Sequence, residues 1–256
     1  MTIVLEKRNG CALLTLSRPE ALNALSFDIL REIGDAFDAV AGWKDVRALL
    51  ITGAGEKAFC AGADIKELRN RTLIEQKRGA ELGQSVFAKL DTLPIASIAL
   101  VNGYAFGGGA ELALASTFRL AGANAVFGLP EIKLGLIPGY GGTQRLPRLI
   151  GEGRALEIIM TGRSVKAEEA ERIGLVTQIA DGDLIEAGLD FAGRFTRYSL
   201  PALEFARRAV QRSGDGPLHE GLKLEADLST LAYQTRDAEE GMAAFEEKRK
   251  PEFADE

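Results

Sequence analysis

The sequence holds a single histidine, His219, and two cysteines, Cys11 and Cys60. That scarcity excludes several chemistries at once. A Ser-His-Asp triad needs a histidine set among its partners, and the stretch GPLHEGLKLE offers none. A zinc centre of His and Cys, or a facial iron triad, needs more ligands of those types. His219 reads as a surface residue at a helix start, and Cys60 as a small buried apolar side chain. Two cysteines make no disulfide framework, which suits a reducing compartment. No apolar run approaches the roughly eighteen residues of a membrane span. The opening stretch MTIVLEKRNGCALLTLSRPE lacks the basic–apolar–small order of a signal peptide. A cytoplasmic protein with no membrane partner is expected.

Basic surplus is missing too. Lys and Arg number 31 against 37 Asp and Glu, for a net charge of −6. The one basic run, Lys248-Arg249-Lys250, sits among acids, so no nucleic-acid partner is expected. Neither a Gly-Lys-Ser/Thr run nor a Gly-x-Ser-x-Gly elbow occurs. Gly53-x-Gly55-x-x-Ala58 follows an apolar strand, but Lys57-Ala58-Phe59-Cys60 brings no helix at once, as a dinucleotide site requires.

What is present describes an ordinary globular chain. The 256 residues are 46% hydrophobic and 27% charged, enough to bury a core without staples. Residues 2–7 and 11–16 read as strands around Asn9-Gly10, a hairpin signal. Ser26 is an N-cap for a helix over 26–41, with Ile29, Leu30, Ile33, Phe37 and Val40 at helical spacing. Residues 46–52 and 95–101 read as buried strands. Thr72 and Glu75 form a capping box for a helix that Pro94 stops. Strand, glycine-rich turn and helix recur, which predicts an α/β fold with mostly parallel pairing. Past about residue 180 helices take over, at 183–197, 201–212, 217–234 and 237–247.

Three glycine-containing turns stand out, in residues 51–68, 101–115 and 127–146. Glycine there either lets backbone approach backbone or aims N–H groups at one point near a helix N-terminus, as an oxyanion hole does. Ala63, after Gly62, and Gly108, opening a helix, are the candidate donors. Glu111 and Glu131 lie among apolar neighbours. They either form a general acid/base pair with shifted proton affinity or complement helix N-termini.

At these segments the sequence resembles the crotonase superfamily, the enoyl-CoA hydratase/isomerase family. The likeness runs through LSRPEALNALS (16–26), AFCAGADIKEL (58–68), NGYAFGGGAELAL (102–114), FGLPEIKLGLIPGYGGTQRLPRLIG (127–151), MTGRSVKAEEAERIGLV (160–176) and EGMAAFEEKRKPEF (240–253). Six blocks in order over nearly the whole chain make it specific. The resemblance implies a spiral of strand–strand–helix units over 1–195, carrying the active site. A helical segment over 196–256 would build a homo-oligomer, a trimer or a hexamer made of two trimers. It implies thioester-carbonyl donors at Ala63 and Gly108, water activation at Glu111, proton supply to the α-carbon at Glu131, and a water-holding N–H at Gly139. Ala63, Asp64, Ile65 and Lys66 match a segment that passes the CoA adenine, and Lys248 matches a position reaching CoA from a neighbouring subunit. Ile65 as core, Lys66 as a solvated charge and Lys248 as a charged tail are the alternatives. No metal and no cofactor is implied, coenzyme A being part of the substrate.

Family isomerases commonly lack a carboxylate like Glu111. With both glutamates present, the expected activity is syn addition of water to a 2-trans-enoyl-CoA, as in fatty-acid β-oxidation. An enoyl-CoA isomerase working mainly through Glu131, and a non-catalytic acyl-CoA- or partner-binding member, are the alternatives. The chain departs from the family pattern at Tyr140, where IPGAGGT or IPGSGGT is common. A bulkier side chain there would line the acyl pocket and favour short or differently shaped acyl groups. Leu129 and Ser229 are further departures, near Glu131 and in the adenine region.

Overall fold

The computed structural model describes residues 2–256. They form two compact units that divide between Asp190 and Phe191. The first unit begins with β1 (Ile3–Arg8) and β2 (Cys11–Leu16), an antiparallel hairpin whose turn residues Asn9 and Gly10 both have positive φ, 48° and 74°. That is the backbone a two-residue primed turn demands, and Asn-Gly supplies it at little steric cost.

After α1 (Phe27–Ala41) the chain lays down strands in pairs: β3 (Ala48–Gly53) with β4 (Ala58–Cys60), β5 (Ala96–Val101) with β6 (Tyr104–Phe106), and β7 (Phe118–Gly122) with β8 (Val126–Gly128). The first strand of each pair joins a six-stranded sheet, which β10 (Gln178–Ala180) completes in the order β1-β2-β3-β5-β7-β10. The second joins a four-stranded sheet, closed by β9 (Ser164–Lys166) in the order β4-β6-β8-β9. Pairing is parallel apart from β1–β2 and β8–β9. All six residues of β3 are buried, which is why VRALLIT reads as an unbroken apolar run rather than an alternation. Helical segments α2 (Ile65–Leu68) and α3 (Leu73–Thr92) follow the first pair. Helix α4 (Gly108–Ala115) follows the second, and a 3-10 turn, Pro130–Leu134, follows the third. This is the expected strand–strand–helix spiral.

Asparagine side chains tie its turns together. Asn102 Nδ2 donates to the Gly53 and Gly55 carbonyls at 2.7 and 2.6 Å. Asn124 Nδ2, one turn on, donates to the Asn102 and Glu56 carbonyls, each at 3.1 Å. Carbonyls stranded in the connections thus find donors. Arg119 anchors the far end of α4. It is 6% exposed and donates to the carbonyls of Ser116 at 2.6 Å, Leu175 at 2.7 Å and Ala113 at 3.4 Å. A cation at a helix C-terminus complements the dipole. Burial brings its pKa down to about 10.

The predicted caps are in place. Ser26 Oγ accepts from Ile29 N at 3.1 Å, and Thr72 and Glu75 form the capping box of α3. The Gly53-x-Gly55 turn leads into strand β4, so it is a spiral turn and no dinucleotide site. Helices α5 (Gly142–Ile150), α6 (Glu152–Thr161), α7 (Ala167–Arg172) and α8 (Leu184–Gly193) follow.

The second unit holds α9 (Leu200–Arg212), α10 (Leu218–Ala232) and α11 (Arg236–Glu247). Its tail returns along α11: buried Asp237 accepts from Ala254 N at 2.7 Å, and Asp255 Oδ1 accepts from Leu200 N at 2.9 Å. Among the described residues no helix is long and apolar enough to cross a membrane.

Candidate active site

The site grows from the turns that end β4 and β6. Leu25 N donates to the Gly62 carbonyl at 2.8 Å, and Asp64 N donates to the Leu25 carbonyl at 2.7 Å. This parallel bridge pairs Leu25 with Ala63, and in such a bridge the Ala63 N–H points to the opposite side. Gly62 sits at φ +100° against the opening of α4, where a Cβ would lie 3.6 Å from Gly108 N. Gly108 is the first residue of its helix, so its N–H has no intrahelical acceptor. Among the described residues neither the Ala63 nor the Gly108 amide has an acceptor. Two donors thus remain beside a helix N-terminus, where negative charge is favoured.

All eight residues of α4 are buried, and Glu111 is its one ionisable side chain, 1% exposed. Its Oε1 accepts from Tyr140 N and Gly142 N, both at 2.8 Å. These donors belong to the turn into α5, the same turn that carries Gly139. Burial pushes the Glu111 pKa up to about 7. The Gly142 amide opposes the shift and the nearby Glu131 carboxylate adds to it. Glu131 arrives from the 3-10 turn after β8. Its Oε1 lies 3.0 Å from where a Cβ on Gly107 would stand, and its Oε2 is buried with no hydrogen-bond partner. Gly107 adopts φ +49° with ψ −124°, so glycine both fits the backbone and leaves room for the carboxyl. Burial raises the Glu131 pKa too. The structure brings Ala63, Gly108, Glu111 and Glu131 into one place, with two carboxyls that hold protons more readily than ordinary glutamates.

A stability consequence follows for Glu111. Its folded pKa lies above the ordinary 4.5. The folded chain therefore binds more protons than the unfolded chain between about pH 4.5 and 7, and stability falls as pH rises through that window. Above the window the cost is complete, on the order of 3 kcal/mol at about 1.36 kcal/mol per pH unit. Glu111→Gln keeps an oxygen for both amides and removes the buried charge. Thermal unfolding followed by circular dichroism is expected to show it melting above the wild type at pH 8 and level with it near pH 4.5. Equal melting temperatures at pH 8 would refute the raised pKa.

A sequence profile of the enoyl-CoA hydratase/isomerase family matches residues 6–256. The chain belongs to that family. It is 43% identical over 252 residues to a crotonyl-CoA hydratase of Syntrophomonas wolfei, covering 98% of this chain and 97% of the relative. It is 40% identical over 251 residues to a short-chain-enoyl-CoA hydratase of Clostridium acetobutylicum, covering 98% and 96%. A solved enoyl-CoA hydratase from Bacillus anthracis superposes with a TM-score of 0.95 at 37% identity, covering all of both chains.

The other expected family positions fall as follows. Asp64 caps α2, accepting from Lys66 N at 3.1 Å, and pairs with Arg18 at 3.2 Å. Ile65 is 54% exposed, so the core alternative for it is wrong; Lys66 is exposed as well. Gly139 precedes Tyr140 on the turn that holds Glu111, and its carbonyl accepts from Gln84 Nε2 at 2.8 Å. Lys248 lies in the second unit, exposed, with left-handed backbone just past α11. Ser229 is exposed on α10, and Leu129 is buried beside the Pro130 turn. His219 is a surface residue at the start of α10, 3.2 Å from Glu220. Cys60 is fully buried, and burial pushes its thiol up to about 12, which leaves it inert. Among the described residues no group of three or more His, Cys, Asp or Glu could hold a metal ion.

Proposed function

We propose that this chain is an enoyl-CoA hydratase, adding water syn across the 2-trans double bond of a short enoyl-CoA to give the 3-hydroxyacyl-CoA. The observation that carries this reading is the convergence of two carboxyls, the buried Glu111 and the half-buried Glu131 with its Oε2 shut away from solvent, on a helix N-terminus with two uncommitted amides. The names of the relatives agree with it.

In this reading the thioester oxygen accepts from the Ala63 and Gly108 amides. Water lies between the two carboxyls, with the Gly139 N–H as a further donor. Glu111, ionised, takes a proton from the water as its oxygen bonds to C3. The C2–C3 π electrons move toward the thioester oxygen, and the two amides stabilise the enolate in a dry site. Glu131, protonated, then gives its proton to C2 and the carbonyl re-forms. Transfer of one proton from Glu111 to Glu131 resets the pair, so substrate and water are fully accounted for. An isomerase needs only one carboxyl to move a proton between carbons; the fixed orientation of Glu111 favours the hydratase.

Coenzyme A enters as part of the substrate, with no metal and no resident cofactor in the proposed reaction. Ala63–Lys66 and Lys248 are its proposed contacts, Lys66 and Lys248 as cations for phosphates. The same proposal places the protein in the cytoplasm as a homotrimer or hexamer. Support comes from large apolar side chains left exposed on the second unit, among them Phe245, Leu218 and Val210. Light scattering should give three or six times the 27.4 kDa chain mass.

Incubation with crotonyl-CoA tests the activity. Loss of the conjugated-thioester absorbance with formation of 3-hydroxybutyryl-CoA is expected. An unchanged band, with a 3-enoyl-CoA converted instead, would favour the isomerase.

A further inference from the structure

We infer that Gly83 and Tyr140 are a matched pair that closes the acyl side of the site and restricts the substrate to short chains; this rests on the hydratase reading above. The Tyr140 ring lies between α3 and α4. A Cβ on Gly108 would stand 3.1 Å from its Cδ2 and Cε2, so the ring covers the residue whose amide receives the thioester oxygen. On its other side a Cβ on Gly83 would stand 2.2 Å from Cδ1. Phe87, one turn further along α3, meets the ring edge to face, centroids 5.8 Å apart at 89°.

The backbone N–H of the same Tyr140 donates to Glu111. The ring is therefore rooted at the carboxyl that activates water, and it fills the space toward α3. Carbons beyond C3 must leave this neighbourhood, and on the α3 side the ring stands in their way. Tyr140 is only 8% exposed, so it is a fixed wall rather than a swinging surface side chain. Glycine is a poor choice inside a helix, and the ring supplies a reason for one at position 83. Truncating the ring opens an apolar void bounded by Phe87 and the Gly83 backbone; an apolar void of ~150 Å³ stays dry and accepts a benzene-sized guest. An alkyl tail is a guest of that kind.

The test compares kcat/KM for crotonyl-, 2-hexenoyl- and 2-decenoyl-CoA in the wild type, Tyr140→Ala and Tyr140→Phe. Tyr140→Ala should raise the decenoyl-to-crotonyl ratio by about tenfold or more, in the range that pocket-filling methylenes discriminate. Tyr140→Phe, which keeps the ring, should leave the ratio unchanged. If the alanine variant fails to fold, Tyr140→Val is read in its place with the same direction expected. Melting temperatures give an independent reading: Gly83→Ala should destabilise the wild type and be tolerated alongside Tyr140→Ala. An unchanged ratio in a folded Tyr140→Ala, or a Gly83→Ala as stable as the wild type, overturns the pair. A wild type that hydrates none of the three substrates overturns the hydratase reading instead, and the length limit falls with it.

Discussion

Glu131→Gln lowers kcat for crotonyl-CoA hydration by on the order of 10²–10⁴, the range a positioned general acid or base contributes, and leaves the fold intact. The Glu131 Oε2 is buried and bonds to nothing, and its residue sits in a short 3-10 turn held by backbone bonds and a proline. The side chain is half-buried, and keeping its Oε2 out of water without a partner has a cost, because a buried polar atom loses its hydration. Gln has the same shape and no proton to give to C2. Melting temperature at neutral pH should hold or rise, since burial already disfavours the ionised Glu131. The contrast with Glu111 is informative: that carboxyl is fixed by two amides, so it orients as well as titrates. Residues acting on one water work as a unit, and the double variant should be scarcely slower than the worse single one. Steady-state kinetics on folded protein decides it. A Glu131→Gln enzyme within tenfold of wild type would remove this residue from the proton path.

Much of this arrangement is legible in the sequence alone. Asn9-Gly10, Ser26 and the Thr72–Glu75 box are local signals, decided by backbone within a few residues, and each is found in place. The glutamates and the glycine turns are visible as candidates, but spacing leaves two readings open for each. What spacing leaves out is the contacts distant in sequence. Glu111 meets amides about thirty residues further on, and Gly62 meets Gly108 across the stacked turns of the spiral. The stacking was not readable because β4, β6 and β8 have three residues each, too short for any periodicity to show. Gly83 is a glycine inside a strong helix with no helical purpose, and its reason lies in the Tyr140 ring, far away in sequence. Asp64 matches a substrate segment by resemblance, and its side chain also caps α2 and pairs with Arg18, which spacing does not show.

The stacking carries the second large prediction, because the two amide donors come from different turns of the spiral. Gly109→Ala is expected to lower both kcat and the melting temperature. A Cβ at Gly109 would stand 2.0 Å from the Cys60 carbonyl oxygen and 2.7 Å from the Cys60 Cβ. No flexible side-chain end can swing away to relieve that contact, since its closest atom is backbone at the end of β4. Either α4 or β4 must move. In the proposed site Gly108, the neighbouring residue on α4, supplies one donor, and β4 runs on into Ala63, which supplies the other. Any relief of the clash therefore changes their spacing. Loss of one such donor costs about 10²–10³ in kcat, and overpacking a well-filled core costs typically about 1–3 kcal/mol. Gly153→Ala is the matched control: it lies in α6 with nothing within 4 Å of its Cβ position. Helix propensity alone should leave it level with the wild type or slightly more stable. If Gly109→Ala behaves like Gly153→Ala in both kinetics and melting, the spacing of the two amides is not what stabilises the enolate. If it folds but loses turnover while still binding the 3-hydroxyacyl-CoA product, the fault lies in the transition state, where an oxyanion hole acts.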